Sequence, residues 1–120
     1  MRHVDYLELA LRFAAREDER GYALGAVGLR TDGAIVTARN GAVRPLAVGH
    51  VKPGHAESRL TRKLDVGAVV YVSRRLRNGA WAMARPCLSC QGLLTAKGIV
   101  KVYYTIAPGE FGVLNLKRKP

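Results

Sequence analysis

Cross-linking and acidic residues are scarce in this chain. It has two cysteines, one tryptophan, two phenylalanines and only nine acidic side chains. Two cysteines cannot build the disulfide framework of a small secreted domain, so a buried core must hold the fold. No apolar run approaches the roughly 20 residues that a helix needs to span a bilayer. The segment Met1-Arg2-His3-Val4-Asp5 is followed by an amphipathic stretch, not by the apolar core of a secretory signal. Repeats and low-complexity tracts are absent as well. A cytoplasmic protein without membrane attachment is expected.

What the chain has is positive charge. Twenty Lys and Arg against nine Asp and Glu give +11, a balance that favours anionic partners such as nucleotides or nucleic acid. An apolar fraction of 48% with 24% charged residues excludes intrinsic disorder as the main description. At 120 residues the chain makes one domain, 1–120, with a basic tail at 117–120.

Periodicity places the elements. In residues 4–16, Val4, Leu7, Leu11 and Ala14 recur at helical spacing. Residues 22–29 and 34–38 flank Thr31-Asp32-Gly33, a hairpin turn. Residues 40–54, with three glycines and two prolines, read as a loop, and a second helix opens near His55 and runs towards Leu64. Residues 68–73 form a nearly continuous apolar, β-rich run, the mark of a buried central strand. The apolar stretch 80–84 fits no period. Pro86 opens a third helix that Gly98 closes, and strands follow at 99–106 and 112–116. Helix, strand, strand, helix, strand, helix, strand, strand describes an α/β domain, a three-layer α/β/α arrangement around a five-stranded mixed sheet. Only five residues separate the last two strands. A parallel crossover needs a dozen or more, so these strands pair as a hairpin.

The informative spacing is Cys87 to Cys90. Chance would place two cysteines three apart in such a chain only roughly 2% of the time. Both fall in the first turn of the helix expected after Pro86, on one face, where the helix N-terminus favours thiolate. A redox dithiol or two buried hydrophobes would show the same spacing. His55-Ala56-Glu57 lies about thirty residues upstream, with the central strand between. His55, Cys87 and Cys90 make a three-ligand zinc set with an open fourth position, as catalytic zinc requires. Glu57 is then a carboxylate placed to take a proton from water acidified by the metal. Residues two apart diverge by about 200° on a helix, so His55 must sit at the cap, before the helix proper. Alternatively, His50 and His55 with the two cysteines would close a structural zinc site, making a non-catalytic, basic nucleic-acid-binding module.

The pattern His-x-Glu followed by Pro-Cys-x-x-Cys is that of the zinc nucleobase deaminases. Over residues 22–106 the chain resembles the cytidine/deoxycytidylate deaminase superfamily. That resemblance implies hydrolytic deamination of a cytosine-type nucleoside or nucleotide. Zn2+ on His55, Cys87 and Cys90 activates water towards the amine-bearing ring carbon, and Glu57 shuttles protons. It implies substrate contacts from Asn40 and the backbone at Ala56, and a homo-oligomer, which Trp81 would suit as core or interface. Arg74, Arg75 and Arg77 follow the central strand, at whose C-terminal end ligands bind in open α/β sheets, and Arg74 and Arg75 are candidates to grip a phosphate. The short last connection resembles the small nucleoside deaminases. Gly41-Ala42 after Asn40 departs from their ribose-reading glutamate, and residues 97–104 are closer to the nucleotide and nucleic-acid branch. The alternative within enzymes is a base in single-stranded DNA or RNA, which +11 and the tail support.

Overall fold

The computed structural model describes residues 2–13, 22–39, 60–76 and 78–116. Two helices, α1 (His3–Phe13) and α2 (Leu88–Lys97), accompany six strands: β1 (Tyr22–Leu29), β2 (Ile35–Arg39), β3 (Val69–Leu76), β4 (Trp81–Ala82), β5 (Lys101–Ala107) and β6 (Glu110–Asn115). Leu60 and Thr61 are also helical. The sheet runs β2-β1-β3-β5-β6, with β4 added on β3. Only the β3–β5 pairing is parallel, and every other pairing is antiparallel. The expected five strands are thus joined by a two-residue sixth, drawn from the stretch that fitted no period.

Both expected hairpins form. In the first, Thr31 donates its backbone N–H and its hydroxyl to Asp65, which holds that carboxyl below the ordinary aspartate range. In the second, β5 and β6 turn at Pro108 and Gly109. The expected Pro86 helix is α2, with Cys87 at the N-cap position and closed by Gly98 at φ 92°, a left-handed conformation that glycine adopts without strain.

The central strand is covered on both faces, which explains its unbroken apolar run. Val70 and Val72 join Leu60, Leu64, Leu94 and Val102 on the α2 side. Val69 and Tyr71 join Leu7, Ala10 and Val27 on the α1 side. Ser73 continues that second face and donates its hydroxyl to the Leu7 carbonyl at 2.7 Å, tying α1 to β3.

Tyr103 and Tyr104 are both half-buried, because the strand alternates between two covered faces: Tyr103 packs with the α1 cluster and Tyr104 with the α2 cluster. Trp81 also packs with the α1 cluster. His3, though exposed, stacks on Tyr103 at 4.0 Å between centroids and meets the Tyr71 hydroxyl through Nδ1 at 2.8 Å.

Tyr71 is 2% exposed, and burial, reinforced by Tyr103 and Tyr6, pushes its hydroxyl up to about 12. An acid whose pKa rises on folding keeps its proton longer in the folded state. Its contribution is therefore intact below the ordinary value of 10.0 and is lost as pH climbs through that value towards 12. Urea unfolding should show stability falling across this window, with a shallower fall in Tyr71→Phe. Equal slopes would mean that Tyr71 ionises as freely folded as unfolded.

Candidate metal centre

The site is built where β3 and β5 part company. Residues 69–72 of β3 pair with 101–104 of β5, and beyond that point β4 takes β5's place, pairing Arg74 with Ala82 and Arg75 with Trp81. Thr105, fully buried, stands in the fork. Its hydroxyl accepts the Arg74 N–H at 3.1 Å and donates to the Ala82 carbonyl at 2.7 Å. Its own carbonyl accepts the Ala84 N–H at 2.9 Å. The backbone groups that the parted strands would leave bare are satisfied by one side chain and its carbonyl. Sequence reading passed over Thr105, since a threonine in a strand carries no signal beyond β propensity.

From β4 the chain crosses to the α2 face, where Ala84 and Pro86 are buried, and turns into the helix at Cys87. α2 then runs back beside the sheet. Its far end meets the start of β3, where Gly67 donates to the Gly98 carbonyl at 2.9 Å. The N-terminus of α2 is thereby held at the C-terminal end of β3, the place where open α/β sheets receive ligands.

Cys87 is the N-cap residue, with extended backbone (φ −67°, ψ 165°), and its side chain caps no helical N–H. Its Sγ lies 3.8 Å from the Ser89 hydroxyl, and Cys87 is exposed while Cys90 is buried. Gln91 fixes the turn, donating from Nε2 to the Pro86 carbonyl at 2.8 Å and from its N–H to the Cys87 carbonyl at 2.9 Å. Two sulfur donors in one helical turn, beside the positive end of the helix, fit half of a tetrahedral zinc site. His55 and Glu57, expected as third ligand and proton shuttle, lie outside the described residues, as do Asn40, Ala56, His50 and Arg77. Among the described residues no group of three His, Cys, Asp or Glu side chains gathers as a metal site.

The two arginines separate. Arg74 follows Val70 and Val72 in the pleat and shares the α2 face with the cysteines, where its Nη1 comes within 3.5 Å of the Met83 carbonyl. Arg75 follows Tyr71 and Ser73 onto the α1 face, opposite Trp81. Consecutive residues of a strand point to opposite faces, so only Arg74 lies on the face of α2.

This architecture, a mixed sheet between helices, is the cytidine-deaminase fold. A cytidine deaminase from Burkholderia pseudomallei superposes with a TM-score of 0.69 at 19% identity, covering 97% of this chain and 94% of that one. A dCMP deaminase from the cyanophage S-TIM5 gives 0.58 at 21% identity, covering 87% and 84%. A cytidine deaminase from Mycobacterium leprae gives 0.52 at 19%, covering 92% and 88%. No protein-family model and no curated protein sequence matches the chain. No helix among the described residues is long and apolar enough to cross a membrane.

Thr105→Val keeps the side-chain shape and removes the hydroxyl from the fork. It should destabilise the protein by about 2 kcal/mol in urea unfolding, the usual cost of stripping a partner from buried polar groups. Thr105→Ser should recover most of the loss. A neutral valine variant would show that the fork does not depend on that hydroxyl.

Proposed function

We propose that this protein is a zinc-dependent hydrolytic deaminase of a cytosine-type nucleoside or nucleotide. The observation that carries the reading is the placement of Cys87 and Cys90 on one turn at the N-terminus of α2, at the C-terminal end of β3. The fold likeness to cytidine and dCMP deaminases and the His55-Ala56-Glu57 motif support it.

Cys87, Cys90 and His55 would hold the zinc, which when bound supplies Lewis-acid activation of the attacking water. Glu57 takes a proton from that water, delivers it to the ring nitrogen, and passes the second to the departing ammonia. The amine-bearing carbon exchanges its C–N bond for a C–O bond, with water consumed and ammonia released. Asn40 and the backbone at Ala56 hold the sugar and base. Arg74, on the cysteine face, meets a phosphate where the substrate carries one.

The charge of +11 favours a second reading, deamination of a base in single-stranded DNA or RNA. The β5–β6 hairpin argues for the monomer, since the chain turns back at Pro108 and Gly109 without building further surface beside the crevice.

Ammonia release from cytidine, deoxycytidine, deoxycytidylate and a cytosine-bearing oligonucleotide tests these readings together. Glu57→Ala should retain zinc, measured by atomic emission, and lose about 10²–10⁴-fold in turnover. Cys87→Ser and Cys90→Ser should lose the metal itself. Full activity in Glu57→Ala would sink the mechanism, and turnover of the oligonucleotide alone would replace the substrate.

Arg74 adds a separate measurement. Arg74→Gln should raise KM for the deoxynucleotide about 10-fold or more, as loss of a charge-assisted hydrogen bond implies, and leave KM for the nucleoside unchanged. An equal rise for both would place Arg74 outside phosphate recognition.

A further inference from the structure

On the α1 side of the sheet, away from the cysteines, a hollow of about 380 Å³ opens between three elements. Val4 and Glu8, one helical turn apart on α1, form one wall. Ala80 and Trp81, where the β3 turn enters β4, form another, and Pro108 of the β5–β6 turn closes the third. The volume lies within the range of small-ligand sites, and the lining is mainly apolar with one charged group, a pattern that fixes ligand orientation.

The sign of that charge is the unexpected feature. In a chain carrying +11, the one ionisable side chain among the described lining residues is a carboxylate, Glu8. Among the described residues Glu8 enters no ion pair. Arg75, which faces Trp81 across the strand pair, is half-buried and stands outside the lining. Trp81 is half-buried too, so part of it remains open to a ligand.

We propose that this hollow binds a small organic monocation, a guanidinium or alkylammonium group, held between the Trp81 ring and the Glu8 carboxylate. An indole ring attracts a cation through its quadrupole, more strongly as water is displaced, and the carboxylate supplies the counter-charge and hydrogen-bond acceptors. An anion would meet Glu8 directly. A neutral apolar ligand would strip water from the carboxylate and return nothing for it. The site lies on the opposite face from Cys87 and Cys90, so it stands whether or not the deaminase reading does.

Trp81 is the chain's only tryptophan, so its fluorescence reports occupancy of the hollow without labels. Butylguanidinium, titrated well below denaturing concentrations, should change the emission saturably, whereas its uncharged isostere butylurea should not. Glu8→Gln, at an exposed position that leaves the core intact, should weaken the apparent affinity at least tenfold. Trp81→Leu, read by calorimetry, should weaken it as well; should that variant fail to fold, Glu8→Gln carries the test. Equal responses to butylurea and butylguanidinium, an unchanged affinity in Glu8→Gln, or no saturable signal would each overturn the proposal. Sedimentation with and without butylguanidinium separates a free small cation, which leaves the mass unchanged, from displaced arginine of a second copy, which would halve it and overturn the small-molecule assignment.

Discussion

The parting of β3 from β5 after Val72 and Tyr104 is the constraint on which the rest of the structure depends. Two parallel strands that separate inside a covered sheet expose backbone N–H and C=O groups that water cannot reach, and each costs as much as a lost hydrogen bond. The fork exists because β4 slides into it and Thr105 satisfies both sides at once. A serine would offer the same hydroxyl with a freer χ1; the β-branched threonine holds its oxygen in place with less entropy to lose. β4 is short for the same reason. It need only span the fork before the chain turns through Ala84 and Pro86 into α2. Without that wedge the chain leaving β3 would have no fixed path to the helix, and Cys87 no fixed place relative to the sheet.

How much of this could be read from the residues alone depended on whether a local rule was in force. The first hairpin was legible because Thr31-Asp32-Gly33 is turn chemistry, and β3 because burial on both faces demands an unbroken apolar run. α2 was legible through its ends, Pro86 before and Gly98 after. β4 was not, because two paired residues followed by a crossing to the other face leave no period to detect. Thr105 stayed hidden because its work lies between residues over twenty positions apart in the chain. The cysteine pair was legible as a spacing, while the division of Arg74 from Arg75 followed from the twofold period of a strand once β3 was known to run to Leu76. His3 is a different lesson, since an exposed residue can still be fixed by a ring beneath it and a buried hydroxyl beside it.

The two faces of the sheet differ in kind. On the α2 side the N-terminus of a helix carries two cysteines, and Arg74 lies on the same face of the sheet. The partial positive charge at a helix N-terminus favours an anionic ligand over a neutral one there. On the α1 side aromatic rings dominate: Tyr6, Tyr71, Tyr103 and His3 stack in sequence, with Trp81 in the same cluster and Glu8 beside it. The pleat enforces this division. Alternate residues of β3 supply opposite faces, so the strand that sends Arg74 to the α2 side sends Tyr71, Ser73 and Arg75 towards α1. A shift of β3 by one residue would exchange the two sets, burying Arg74 against α1 and placing Tyr71 against α2. The eight-residue register with β1 holds off that exchange, tied at one end by the Thr31–Asp65 bond just before β3 and near the other by the Ser73–Leu7 bond to α1. The chemistry of each face therefore rests on strand register before it rests on any one side chain.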